Sequence, residues 1–355
     1  MALLQTTQSG PVGFGSAQRS ASSQWASRHA AILLLGVVLV LMPAIASDFV
    51  LDQIFGWALI LGIIALSLMF LAGYGGMVSL AQMTVAGVSG YMVTVLGASS
   101  LPTISLFWPW WVAAPLAIVI AVTFGALAGA LSARTEGIYT IMITLAIAAA
   151  FFYLTLQNWP IFNGFAGFTT IPAPIAFGVN WKHPVPLYYL ILFFAALSYV
   201  AVVYISRAPF GLALQGVRDN PRRMEAIGYN VTAHRVAAYA FAALFAAIGG
   251  ILMVWLNNQI SPGSSGIEAT IDLLVIAVVG GLGQPIGAFV GAIIYVILRT
   301  FALDALVSVG LDGRRFQTLI GLGFLIIVLF SPDGVIGIWR RWSARALSPG
   351  RSNRP

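Results

Sequence analysis

The sequence predicts an all-α, polytopic membrane protein, and three observations carry that prediction. Of the 355 residues, 60% are hydrophobic and 8% are charged, against roughly 25% charged in a soluble domain. The apolar residues fall into runs of crossing length, ~20 residues each, and the short segments between them hold most of the Lys and Arg. Glycine and polar residues interrupt two of these runs, at 73–90 and 280–291. Eight to ten transmembrane helices are therefore expected, with broken or half helices near the midplane.

The same composition excludes several classes of function. A net charge of +7 would suggest nucleic acid in a soluble protein, but here the charges flank apolar segments and set their orientation, which argues against a nucleic-acid partner. There is no cysteine, hence no disulfide or thiol chemistry. A phosphate-binding Walker loop needs Gly-Lys-Ser or Gly-Lys-Thr, and the single lysine, Lys182, stands between Trp181 and His183. If ATP drives this protein, a separate ATPase chain binds it, and no cofactor is expected here. No paired carboxylates, Cys/His cluster or HExxH motif supports catalysis or a metal site.

Residues 1–28, rich in Ser, Gln, Gly and Ala, read as a disordered cytoplasmic tail. Ala44-Ile45-Ala46 mimics a signal-peptidase site, but the apolar run before it is long for a signal peptide, so a retained first helix is expected. A membrane domain spans 29–342, with candidate crossings at 30–46, 51–72, 77–97, 109–132, 137–156, 187–206, 236–256, 285–302 and 316–331. The run 271–282 has half the length, and is either a short crossing or part of a re-entrant pair with 285–302. A basic tail, 343–355, ends the chain. With the N-terminus inside, thirteen of the seventeen Lys and Arg face the cytoplasm, leaving Lys182, Arg299, Arg314 and Arg315 opposite; both termini are then cytoplasmic. The loop at 157–186 faces outward. Its Pro172, Pro174, Pro184 and Pro186 exclude regular helix, and its aromatic residues suit either a membrane-interface belt or a docking surface.

The polar segment 207–235 holds five of the seventeen basic residues. Phe210, Leu214 and Val217 lay a narrow apolar stripe along a first short helix. Asn220 is positioned to cap a second, with Pro221 at its first position and Gly228 just past its end. Thr232 is expected to cap the next long helix, with Val231 and Val236 as its hydrophobic staple. This is either an ordinary basic cytoplasmic loop or an element that a partner reads.

The two interruptions, Gly73 to Gln82 and Gly280 to Pro285, must line protein or a water-filled cavity, because unpaired backbone groups cannot face lipid. Both contain a Leu-x-Gln step, Leu80 to Gln82 and Leu282 to Gln284. Apart from residues near segment ends, such as Asp272 and Arg299, no Asp, Glu, Lys, Arg or His lies within an expected span, so neither a proton relay nor a voltage sensor is expected. The groups left to contact a solute are neutral. They are the backbone at Gly73, Gly75, Gly76, Gly281 and Gly283, and the side chains of Ser79, Gln82, Thr84, Thr140, Thr144 and Gln284. Each hydroxyl could equally serve helix-helix hydrogen bonding.

Several segments, in order, resemble the LivM-type permeases of branched-chain amino acid ABC transporters. Gly73 to Leu96 is similar to the family's G-x-x-G-x-x-S-L-G-x-x-x-F-x-G segment, although Ala81 and Val85 depart from it. Arg134 to Ala146 is similar to R-x-x-G-I-Y-F-x-x-x-T-L-A, and Asn163 to Pro172 to a glycine-rich outer loop ending Gly-Ile-Pro. Phe210 to Arg235 resembles the family's cytoplasmic loop, with Glu225-Ala226 in place of its Glu-Ala, and Gly280 to Gly291 resembles G-G-x-G-x-x-x-G-x-x-x-G. The resemblance implies an inner-membrane permease paired with a second, LivH-like permease subunit. It also implies two ABC ATPase subunits on the cytoplasmic side and a periplasmic substrate-binding protein. Arg218, Asn220, Arg222, Arg223, Met224, Glu225, Ala226, Ile227 and Gly228 would then be the ATPase-coupling residues, with Met224 and Ile227 seated in a groove of the ATPase. An amino acid could place its carboxylate at a half-helix N-terminus and its side chain among Met77, Val78 and Leu80. Urea or another small polar solute, or a stand-alone channel or facilitator, is the alternative.

Overall fold

The computed structural model describes residues 36, 38–101, 103–176, 179–308, 321–322, 334–335 and 337. The expected tails, residues 30–35 and 37 of the first span 30–46, and nearly all of 316–331 lie outside the described residues. The chain divides into two units, the first ending at Ser47. In that first unit the described residues are helical at 36 and 38–41 and continue into a 3-10 turn, Met42–Ala44.

The second unit, from Asp48 onward, is built around helix α1, Val50–Tyr74. It is apolar on all sides, and residues 58–71 are all buried, as expected of a helix surrounded by others. Both its ends, Val50–Gly56 and Phe70–Tyr74, widen into π geometry. Around it stand α2 (Gln82–Leu96), α3 (Trp110–Ser132), α4 (Ile138–Gln157), α5 (Pro184–Arg207), α8 (Val231–Asn257), α9 (Ile267–Gly280) and α10 (Pro285–Ser308). Two short helices, α6 (Pro209–Asp219) and α7 (Pro221–Ala226), join α5 to α8. The all-α expectation holds: among the described residues the strands are four two-residue pieces, β1 (Phe168–Thr169), β2 (Ile175–Ala176), β3 (Val179–Asn180) and β4 (Gln259–Ile260).

Helices α1, α2, α3 and α8 approach closely where small residues meet. Gly250 of α8 lies on the Ala86 carbonyl of α2, and Gly129 of α3 lies on the Tyr239 ring of α8. Without a hydrophobic drive between helices in lipid, such small-residue contacts supply the packing.

The two faces of the bundle differ. On the face away from α6 and α7, β1 pairs antiparallel with β4, joining Phe168 to Ile260 and Thr169 to Gln259. This ties the 157–186 loop to the end of α8. Helix α2 stops short there, and its last carbonyls are taken by the next loop: Leu106 N–H donates to Val95 O and Trp108 N–H to Leu96 O, both at 2.9 Å. The 157–186 segment does hold helix, which the prolines were expected to exclude: the turn Trp159–Phe162, a 3-10 turn Gly164–Ala166, and the start of α5, where Pro184 and Pro186 lie in the first turn and need no N–H partner. Pro160 sits at the start of Trp159–Phe162, where no N–H is needed, and Asn158 caps that turn by accepting from Ile161 N–H at 3.3 Å. Phe162 and Phe168 close on buried Tyr91 at ring distances of 5.2 and 6.3 Å.

From β4 the chain dips back into the bundle, where Ser265 contacts Gly87 of α2. It then runs through α9 toward the α6–α7 face. Residues 262–280 form an apolar helical stretch of 19 residues, long enough to cross a membrane, and the apolar run that begins at 271 is its second half. Helix α10 returns antiparallel, with Gly280 stacked on the backbone of Gly287 and Gly291 on that of Ile276.

Candidate functional site: the coupling helices and the broken membrane segments

The 207–235 segment folds as two tied helices. Gly211 is pressed against the Ile205 carbonyl, so α6 folds back directly from the end of α5. Gln215 Nε2 holds the turn by donating to Ser206 O at 3.0 Å. Leu214 and Val217 are fully buried, while Phe210 stacks on His234 with ring centres 5.6 Å apart. The apolar stripe read from the sequence therefore faces the bundle.

Asn220 caps α7 as expected, its Oδ1 accepting from Arg223 N–H at 3.0 Å, with Pro221 at the first position. Gly228 takes a positive φ of 95° just beyond the helix, which suits glycine alone at low strain. The expectation at Thr232 is corrected: Asn230 is the cap of α8, its Oδ1 accepting from Ala233 N–H at 2.9 Å. Asn at the position before the first helical residue is the better acceptor for the third N–H, and it starts the helix at Val231.

Arg222, Arg223, Glu225, Ala226 and Ile227 are exposed. Met224 is half-buried, with its sulfur over Gly216 of α6, so part of that side chain holds the helix pair together. Ile227, 66% exposed, is the apolar group left free on this tip.

Arg218 connects the helix pair to the membrane. Its Nη1 donates to the Gly73 carbonyl at 2.5 Å, its Nε pairs with Asp219 at 2.9 Å, and its stem covers Gly76. Leu214 covers Gly75. The chain at 76–81 is not helical, and Gly76 has a φ of 66°. The expected first break is thus present, and the underside of α6 is seated on it.

The second break is also present, with Gly281 at a φ of 104° between α9 and α10. Although more than 200 positions apart in sequence, the two breaks touch: Gly73 lies against the Leu282 carbonyl. Gly334, a residue that sequence reasoning passed over, is buried against Gly280 and Gly281. Gly76 and Gly283 are exposed and Gln284 half-exposed, so the junction opens toward the α6–α7 face.

The neutral polar residues lie deeper. Ser79, Gln82, Thr84, Thr140 and Thr144 are all fully buried. Gln82 Oε1 accepts from Ser67 at 3.1 Å, Leu80 N–H donates to Thr144 Oγ1 at 3.1 Å, and Thr144 donates to Thr140 O at 2.9 Å. Among the described residues, Thr84 Oγ1 has no hydrogen-bond partner in its buried position. These side chains form a seam within the subunit among α1, α2 and α4, and in this conformation none faces an open path. Ser67, set alone in the most apolar run of the chain, is the partner that sequence reasoning missed.

Arg235, also missed as a site residue, is 8% exposed. It donates to Ala133 O at 3.0 Å and to Glu136 Oε1 at 2.8 Å, fixing the α3–α4 turn to the base of α8. Gly137, with a φ of 60°, lets that turn enter α4.

Long apolar helices, two touching glycine breaks and a capped polar helix pair locked to one of them are the features of a polytopic membrane protein. Residues 50–329 match the model of the family described as branched-chain amino acid transport system / permease component, and the chain belongs to that family. It is similar to the high-affinity branched-chain amino acid permease protein LivM of Salmonella typhimurium, with 23% identity covering 84% of this chain and 78% of the relative. A probable LivM from Methanocaldococcus jannaschii is 26% identical, covering 62% and 67%. The ribose import permease protein RbsC of Haemophilus influenzae is 22% identical, covering 70% and 76%. No solved structure matches the chain at a significant level. The protein is a multi-pass permease of an ABC transporter.

Proposed function

We propose that the chain imports branched-chain or related amino acids across the inner membrane, as one of two permease subunits. The second subunit would be LivH-like. Two ABC ATPases would dock on the α6–α7 face in the cytoplasm, where both termini also lie, and a periplasmic binding protein would deliver solute to the 157–186 face. The observation that carries this reading is the double contact of the helix pair. One side, through Arg218 and Leu214, grips the first break. The other presents Arg222, Arg223, Glu225 and Ile227 to the exterior.

In this reading ATP-driven closure of the ATPases moves α6 and α7 as a lever. The junction of Gly73, Gly75, Gly76, Gly281, Gly283 and Gln284 is the hinge it turns. Ser79, Gln82, Thr84, Thr140 and Thr144 meet solute only when α2 and α4 part. The amino acid assignment is supported by the LivM relatives, while the ribose permease makes sugar a competing outcome.

The test is co-purification of the partner ATPase with Met224→Asp/Glu225→Arg. Loss of the ATPase from a chain that still inserts is expected, and unchanged binding would sink the coupling assignment. Competition of uptake by leucine, ribose and urea separates the solutes.

A further inference from the structure

The sequence places Asp272 and Arg299 near segment ends, because the apolar runs begin or stop beside them. The structure moves both inside helices. Asp272 lies eight residues from the end of α9 at Gly280, about 12 Å along the axis, and that end adjoins the Gly73–Leu282 junction where α1 leaves the bundle. At its other end α9 begins beside Ser265, which touches Gly87, nine residues and about 14 Å short of the end of α2. Asp272 is therefore near mid-depth.

Across the hairpin, where Gly291 of α10 lies against Ile276 of α9, the antiparallel register brings Tyr295 level with and close to Asp272, and Arg299, one turn further on, level with Glu268. Glu268, one turn before Asp272, completes the group. Glu268 and Arg299 are exposed and Asp272 is half-exposed, among exposed Ile271, Leu298 and Phe301. Charged side chains on an exposed face at this depth are strongly disfavoured against lipid, and such groups mark water-filled or protein-lined paths.

We propose that this face of the α9–α10 hairpin lines an aqueous route through the bilayer, and that its charges receive a zwitterionic solute. The carboxylates of Glu268 and Asp272 take the solute's ammonium group, and Arg299 takes its carboxylate. Ile271 and Leu298 offer apolar surface beside the charges for an aliphatic side chain. The solute assignment rests on the amino acid reading above, while the aqueous face does not.

The chain's lack of cysteine allows a direct test. Single variants Glu268→Cys, Ile271→Cys and Arg299→Cys are placed in the assembled transporter in proteoliposomes and treated with a charged, membrane-impermeant methanethiosulfonate. Val119→Cys, on an exposed face of α3 that holds no ionisable side chain, is the control. Labelling well above the control is expected at all three positions. At Ile271→Cys, the variant that keeps all three charged groups, leucine at about ten times its Kd should slow labelling about tenfold, because only free sites react, and 4-methylpentanoate, which lacks the ammonium, should not. Labelling no faster than at Val119→Cys would overturn the aqueous face. Equal protection by leucine and 4-methylpentanoate would overturn the zwitterion site. Fast labelling that leucine leaves unchanged, in a transporter that also fails to take up leucine, would instead reject the amino acid reading.

Discussion

Replacing Arg218 by methionine should uncouple ATP hydrolysis from transport while leaving the complex assembled. Methionine retains an apolar stem over Gly76 but removes the donor to the Gly73 carbonyl. A hydrogen bond from a charged group contributes ~1.5–3 kcal/mol. The Arg218 side chain is 40% exposed, and screening reduces this to about 1 kcal/mol, with little added by the exposed pair to Asp219. One kcal/mol shifts the equilibrium between seated and unseated α6 about fivefold. The assay is solute moved per ATP hydrolysed in proteoliposomes containing all subunits. The expected result is normal ATPase association, near-normal hydrolysis and a transport-to-hydrolysis ratio reduced severalfold. An unchanged ratio would refute the idea that force passes through this contact. A loss of assembly would show that Arg218 serves docking instead.

Two further substitutions test the rest of the construction. Gly73→Ala drives a methyl into the Leu282 backbone, and overpacking of this kind costs ~1–3 kcal/mol. It should lower the melting midpoint in detergent, while Gly283→Ala, with open space around it, should leave the midpoint unchanged. At the α3–α4 turn the pair is asymmetric, since Arg235 is buried and the Glu136 side chain is 68% exposed. Arg235→Met strands the Ala133 carbonyl and should cost ~1–3 kcal/mol, whereas Glu136→Gln should cost under about 1 kcal/mol; paired thermal melts check the difference.

The fold was legible where a side chain's physics acts locally. The long apolar helices, the caps at Asn220 and Gly228 and both backbone breaks follow from residue type and spacing alone, although the run 77–97, expected to cross, forms a helix of only 15 residues, Gln82–Leu96. The position of α9 did not, because Ile267 to Thr270 holds a glutamate that ends the apolar run while the helix continues. The Thr232 assignment failed for a similar reason: two residues suited to capping stand close together, and only the backbone decides between them. Long-range partners were not legible. No spacing rule brings Gly73 to Leu282, Gly334 to Gly281, Ser67 to Gln82 or Arg235 to Glu136, since each contact depends on how whole helices pack. The burial of Ser79, Thr84 and Thr144 likewise reflects the arrangement of α1, α2 and α4. Those hydroxyls look the same in sequence whether they line a path or join two helices.

The central claim is that the chain moves solute only when an ATPase drives the α6–α7 pair. It is tested most directly by leucine accumulation in proteoliposomes holding the chain with its permease partner, the two ATPases and the binding protein, against proteoliposomes holding the chain alone. Accumulation above the external concentration that requires ATP, the ATPases and the binding protein is the predicted result. Leucine equilibrating through the chain alone, without ATP, would contradict it.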